Sequence, residues 1–459
     1  METVEEAGAW LESLINFERR SDWPYARLGL DPIARLLQRL GDPHRGLSLI
    51  HVAGSKGKGS TALLIESLLT ACGERVGTFT SPHLERWTER VRLGGGEIDD
   101  GRLMASLERV RPHVESMRAA RPENAPTFFD ATTAAALLCF ADAGVDRAIL
   151  EVGLGGRLDS TNIVVPRVSC ITSIELEHTD VLGTTLPEIA SEKAGILKRG
   201  VPAVVGCLPE AARAVVAERA ASLDSPVAWA GRDFDATVIE ATPSGQRVRL
   251  RDGDWEQEVE LPVLGEHQAN NAGLALACAR RAGGVSESVL AERIGPGFSA
   301  TRLPGRIEVL GRKPLRIVDG AHTSASARAL AAALRGLARG RTHLVLSVSA
   351  GKDLDEILAA LLPLVDALTV TRADPVRSLA PAEVARVARA QCSDLEARCV
   401  PNPHLALRAA LDGLDPEGCA LATGSVYLAG IARRIWSEPD PGARVAVTRT
   451  RPAPPVVGG

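Results

Sequence analysis

Short runs of mostly apolar residues alternate with amphipathic stretches along most of the chain. The apolar runs fall at 47–53, 76–80, 147–152, 168–174 and 202–206, and helical patterns fill the gaps at 60–72, 101–120, 130–143, 187–198 and 209–223. A strand that is apolar on both faces cannot sit at the surface of a sheet. The pattern therefore predicts a parallel sheet covered by helices on both sides.

The rhythm changes at 234–262, where 237–240, 247–251 and 255–261 alternate in polarity around Ser244-Gly245 and Asp252-Gly253. That is the pattern of a small antiparallel meander. Helical patterns follow at 268–282 and 286–294. Pro296-Gly297 and Pro304-Gly305 then punctuate the chain, which puts a domain boundary near 300. Apolar runs resume at 315–318, 343–348, 366–371, 396–400 and 419–423, a second and smaller α/β domain. The expected division is 1–300, 301–437, and a disordered tail from 438 that is rich in Pro, Gly and Arg.

Composition excludes several classes. The 459 residues carry a formal net charge of -4, with basic residues scattered, which argues against nucleic acid or an anionic membrane as the partner. The eight cysteines are far apart and form no Cys-x-x-Cys pair, so they read as buried, reduced thiols. The acidic N-terminus lacks the build of a signal peptide, and the longest apolar stretch, 131–140, is too short to span a bilayer. A cytoplasmic setting is expected.

The strongest local signal is His51-Val-Ala-Gly-Ser-Lys-Gly-Lys-Gly-Ser-Thr61. A strand runs into a glycine-rich turn, and a helix opens at Ser60. Gly54, Gly57 and Gly59 allow the backbone to point its N–H groups at a phosphate, and the helix N-terminus adds partial positive charge. Ser55, Lys56 and Ser60 line the same turn, and Lys58 can reach the outer phosphates of a nucleotide. The strict phosphate-loop pattern is not met, because Val52 takes the first glycine position and Gly59 separates Lys58 from Ser60. Glu151 ends an apolar strand beside another glycine-rich loop, where open α/β sheets bind ligands and where a carboxylate suits Mg²⁺. His178 follows the 168–174 strand in a polar turn, and Lys193 lies in a helix beginning near Pro187. Taken alone, these two are ordinary surface positions.

Together the motifs resemble the folylpolyglutamate synthase/dihydrofolate synthase branch of the Mur ligase superfamily. The resemblance runs from Leu28-Gly-Leu-Asp through Tyr427 and rests on an ordered set. After the loop come Ser81-Pro-His-Leu84, Thr88-Glu-Arg-Val91, Glu151-Val-Gly-Leu-Gly-Gly-Arg-Leu-Asp159, Thr161-Asn162, Thr172-Ser-Ile, His178, and Leu182-Gly183. Then follow Glu192-Lys-Ala-Gly-Ile196, His267-Gln268 with Asn271, Pro304-Gly-Arg306, Asp319-Gly-Ala-His322 and Gly424-Ser425. The fold so implied is α/β: an N-terminal, P-loop-type, mostly parallel sheet domain with a small antiparallel insertion, plus a smaller C-terminal, Rossmann-like α/β domain.

The resemblance also implies roles. Ser81 and Glu151 would bind one Mg²⁺; His178 and a carbamylated Lys193 would bind a second. Asn271, which opens a helix after His267-Gln268, would contact the nucleotide, and Arg306, Asp319 and His322 would close onto ATP. Lys58, Lys193, His178 and Arg306 would carry the catalysis. The implied reaction is ATP-dependent: a folate or pteroate carboxylate takes the γ-phosphate, and L-glutamate displaces phosphate from the acyl phosphate. A monomer is expected. Lys56 stands where the family has Asn, Glu177 where it usually has Asp, Thr323-Ser324 where it has Asn-Pro, and Ser349-Ala-Gly-Lys-Asp353 matches an Asp-Lys-Asp segment only partly. The alternatives are another amide ligase of the superfamily with a different acyl substrate, and a nucleotide-binding regulator without activity.

Overall fold

The computed structural model describes residues 3–16, 29–335, 337 and 340–437. The expected disordered tail and Leu28, where the resemblance begins, lie outside the described residues. The chain divides into two compact units, Met1–Pro304 and Gly305–Gly459.

The first unit is built on strands β1 (Leu49–Ala53), β2 (Val76–Phe79), β3 (Val91–Leu93), β4 (Gly96–Glu97), β5 (Arg147–Glu151), β6 (Val168–Ile171), β7 (Ala203–Val205) and β8 (Val227–Trp229). Their order in the sheet is β4-β3-β2-β5-β1-β6-β7-β8. All neighbours are parallel except β2–β3 and β3–β4. Every residue of β1, β2, β5, β6 and β7 is buried, as the apolar runs require.

Helices Lys58–Ala71, Glu266–Ala282 and Glu287–Ser299 share one core with the sheet, including Ile65, Leu68, Ala275 and Phe298. Helices Val4–Glu12, Asp31–Arg39, Asp100–Ala120 and Phe128–Ala143 share another, with Phe79, Phe128 and Phe140 fully buried. Helices Leu186–Ala194 and Glu210–Ser222 pack on a third. Side-chain caps fix several starts: Thr127 with Asp130 and Thr185 with Glu188 each form a capping box.

The meander is a separate antiparallel sheet of β9 (Phe234–Thr242), β10 (Gly245–Asp252) and β11 (Trp255–Leu261). Pro296 does not punctuate the chain as expected. It lies inside the helix Glu287–Ser299, which runs on to its C-cap at Ala300.

The second unit carries β12 (Glu308–Arg312), β13 (Leu315–Val318), β14 (Thr342–Leu346), β15 (Ala367–Val370), β16 (Glu396–Cys399) and β17 (Cys419–Thr423), ordered β12-β13-β17-β14-β15-β16. Only β12 runs antiparallel to its neighbour. Its core contains Val318, Val345, Leu428 and Trp436.

No described helix is long and apolar enough to cross a membrane. All eight cysteines are unbridged, but only Cys139, Cys170, Cys278 and Cys419 are buried as expected; Cys72 and Cys392 are half-buried, and Cys207 and Cys399 are exposed.

Candidate active site

Strand order puts the site at the carboxyl edge of β1. β1 sits between β5 and β6, with Val52 abreast of Glu151 and Ala53 abreast of Ile171. The turns leaving these three strands therefore converge, and this is the edge at which open α/β sheets bind ligands.

The glycine-rich turn leaves β1 at Gly54 and enters the helix at Lys58, two residues earlier than Ser60. Gly57 is the N-cap, with φ +83°, a conformation that favours glycine. A Cβ there would lie 2.5 Å from Asn271 Oδ1. At Gly54 a Cβ would lie 1.9 Å from Thr172 Oγ1. Ser55 N donates to Ser173 O at 2.8 Å, and Lys56 N donates to Ser173 Oγ at 2.9 Å. Ser55 Oγ accepts from Glu175 N at 2.9 Å, so the whole turn is laced to the segment that follows β6. Ser60 is buried in the first turn of the helix.

Lys58 Nζ donates to Gly54 O at 3.0 Å. Lys193, in the last turn of the helix Leu186–Ala194, is only 2% exposed and donates to the same Gly54 O at 3.0 Å. It also donates to Glu177 Oε1 at 3.3 Å, while Lys56 Nζ donates to Glu177 Oε2 at 3.0 Å. Burial acts to raise the Glu177 carboxyl, but Lys58, Lys56, Lys193 and His178 together hold it down at about 2. Burial and Lys58 bring the Lys193 amine down to about 8, against the pull of Glu177. His178 takes a left-handed conformation, φ +49°, just before the helix Thr179–Leu182.

On the other side of the loop, Glu151 Oε2 accepts from Ser81 N at 2.9 Å, next to the cis Ser81-Pro82 bond. Gly59 closes against this carboxylate, since a Cβ there would be 3.2 Å from Glu151 Oε2. Glu151 is only 4% exposed. Behind it, Asp159 gathers the strand-end loop by accepting from Gly153 N at 3.0 Å and Leu154 N at 2.9 Å.

Asn271 does not open its helix. That helix starts at Glu266, and Asn271 is buried in its second turn, where Oδ1 accepts from Thr61 Oγ1 at 3.3 Å and Nδ2 donates to Gln268 Oε1 at 2.9 Å.

In the second unit, Arg306 Nη1 donates to Gly305 O at 3.2 Å. Asp319 is buried and accepts from Ile307 N at 2.8 Å and Ala321 N at 2.7 Å. Burial raises its carboxyl, opposed by Arg306. His322 Nδ1 lies 2.8 Å from Gly320 O, a contact in which the ring nitrogen must be the donor. Thr323, which stands where the family has Asn, forms a capping box with Ser326; Asp353 accepts from Glu356 N to start the helix Leu354–Leu361.

The structure thus brings Gly54, Ser55, Lys56, Gly57, Lys58, Gly59, Ser60, Ser81, Glu151, His178, Lys193 and Asn271 around one sheet edge, while Arg306, Asp319 and His322 form a cluster of their own in the second unit. Glu177, Thr172, Ser173 and Gln268 were not expected among the site residues. Glu177 was detectable in principle: Lys56, Lys58 and Lys193 need an anion, and the carboxylate beside His178 is the one at hand.

Among the described residues, no group of three or more His, Cys, Asp or Glu side chains is arranged to hold a metal ion. A protein-only cage is therefore absent there. Glu151 at the loop fits instead the habit of Mg²⁺, which takes one or two carboxylates and completes its shell with phosphate oxygens and water. An ammonium does not ligate a cation, so Lys193 fits only after its charge is reversed.

The Mur ligase middle domain family matches residues 52–279, and the Mur ligase, glutamate ligase domain family matches 305–426. A probable bifunctional folylpolyglutamate synthase/dihydropteroate synthase of Halobacterium salinarum is 38% identical over 442 residues, covering 94% of this chain and 53% of that one. The chain thus spans about half the length of that relative. A dihydrofolate synthase/folylpolyglutamate synthase of Mycobacterium tuberculosis is 35% identical over 465 residues, covering 94% of this chain and 95% of that one. The structure of Mycobacterium tuberculosis folylpolyglutamate synthase complexed with ADP and AMPPCP aligns with a TM-score of 0.85 at 32% identity, covering 95% of this chain and 98% of that one. The chain belongs to the folylpolyglutamate synthase/dihydrofolate synthase family of the Mur ligases.

Proposed function

We propose that this chain is an ATP-dependent ligase that joins L-glutamate to a folate-type carboxylate. The single observation that carries this reading is the convergence of Lys58, Lys56 and Lys193 on the loop after β1, with Glu151 facing them across Gly59. The ammonium groups of Lys56 and Lys58 beside a glycine-rich helix N-terminus suit the charge of a triphosphate. A structure of a family relative complexed with ADP and AMPPCP supports the same assignment.

In this reading the loop amides and Lys58 fix the phosphates of ATP. The acceptor carboxylate attacks the γ-phosphorus; the bond to the bridging oxygen breaks, and ADP leaves with that electron pair. The amine of glutamate then attacks the acyl carbon, phosphate departs, and the amine's proton is lost. The protein's part is to hold the reacting groups in line and to stabilise the charge on the transferring group. Ser81 and Glu151 would hold one Mg²⁺, and His178 with a carbamylated Lys193 a second. When bound, Mg²⁺ neutralises phosphate charge. The lowered affinity of the buried Lys193 amine for its proton leaves a neutral fraction able to take up CO₂, which supports the carbamate. Glutamate handling is assigned to the second unit, on its match to a glutamate ligase domain. Arg306, Asp319 and His322 would serve the nucleotide from there.

Oxygen-18 in the acceptor carboxylate tests the mechanism. One label should appear in the released phosphate per amide formed; unlabelled phosphate would exclude the acyl phosphate.

A further inference from the structure

Lys56 and Lys193 share one carboxylate but are held very differently. The Lys193 side chain is 2% exposed and its amine is fixed by Gly54 O and Glu177 Oε1. The Lys56 side chain is 30% exposed, and its ammonium donates to Glu177 Oε2 at 3.0 Å. The Lys56 backbone, in contrast, is pinned: its amide donates to Ser173 Oγ, and its carbonyl accepts from Thr172 Oγ1 and Ser173 Oγ. A fixed Cα with a long, partly solvated stem allows the ammonium to change partner without moving the loop. With Lys193 as the free amine, the form it has in this structure, Lys56, Lys58 and Lys193 all bear on Glu177, so this side of the loop carries more cation than its one carboxylate balances, while Glu151 accepts from Ser81 N. A site in that state gains most from an added anion.

We propose that Lys56 is an exchangeable cation of the phosphate loop: it is stored on Glu177 when no nucleotide is bound, transfers its ammonium to a nucleotide phosphate on binding, and thereby releases one Glu177 oxygen. The idea rests on the nucleotide-binding reading of the loop and deepens it. Its competitor is a static brace, in which the Lys56–Glu177 pair only ties the loop to the segment after β6.

The test is calorimetric titration of ADP into the intact chain in magnesium-free buffer, with wild type, K56N, K56R, E177Q and K56N/E177Q, each checked by thermal unfolding. K56N should weaken ADP about tenfold, as expected for losing one charged contact to phosphate. K56R should stay within about threefold, because the charge remains. E177Q should tighten ADP, and that gain should vanish in the K56N background, because the freed group is Lys56. K56M replaces K56N in the cycle if the latter does not fold. Wild-type ADP affinity in the Lys56 variant, or an E177Q effect of equal size with and without Lys56, overturns the exchange and leaves nucleotide binding standing. A wild-type chain that binds no ADP overturns the nucleotide reading itself.

Discussion

Lys58 and Lys193 donate to the same atom, the carbonyl oxygen of Gly54, each at 3.0 Å. One lysine comes from the helix that opens on the loop, the other from the helix Leu186–Ala194 on the far side of β6. The loop is thereby tied at its first residue to two helices. Removing the two lysines should have different consequences.

Lys58→Ala takes away the cation that the proposed reading places on the phosphates, while the loop keeps its buried tie to Lys193. Turnover should fall by at least about a hundredfold, the scale for one preorganised charge contact in a transition state, with the thermal midpoint little changed. Steady-state ADP release and a melting curve check both halves.

Lys193→Ala instead removes the buried ammonium and leaves Gly54 O to Lys58 and Glu177 to Lys56. The cost should be about 3 kcal/mol, the low end for a broken buried pair, because Lys56 still reaches Glu177. Urea unfolding reads this directly.

Gly57→Ala tests the loop backbone. At φ +83° an alanine is strained, and its Cβ would meet Asn271 Oδ1 at 2.5 Å. A loss of about 1–3 kcal/mol is expected from the backbone conformation, together with weakened ADP binding. Unfolding and titration of the same sample separate the two effects.

Asp159 gives a pH dependence. Burial raises its carboxyl to about 6, although hydrogen bonds from Thr161, Leu154 and Gly153 pull it down. The folded state therefore holds a proton between about pH 4 and 6 that the unfolded state releases, so this group's contribution to stability falls as pH rises through that window and is level above it. The whole effect is at most about 3 kcal/mol. Asp159→Asn should remove it, so the difference in thermal midpoint between wild type and variant should change between pH 4 and pH 6 and then stay constant.

Much of this was legible in the sequence, and particular residues show why. Strands buried on both faces write themselves as apolar runs, so β1, β5 and β6 were found within a few residues, and with them the convergence of Gly54 and Glu151. Pro296 misled because proline is a local signal, whereas the helix around it is held by burial of Leu290, Ile294 and Phe298. Asn271 was placed at a helix start because Gly265, the actual N-cap, has no side chain to announce a cap. Glu177 escaped because its importance is relational: it lies 121 residues from Lys56 and 16 from Lys193, and only the fold brings the three charges together. Thr323 stands where the family has Asn, and its visible work is to cap a helix.

The most direct test of the ligase reading is the product itself. Purified protein with Mg-ATP and L-glutamate is offered dihydropteroate and tetrahydrofolate in separate reactions, and ADP release and product mass are followed. With at least one acceptor, each ADP released should match one product heavier by a glutamyl residue, and Lys58→Ala and Glu151→Ala should abolish both signals. ADP release without such a product, or no turnover with either acceptor, would contradict the account.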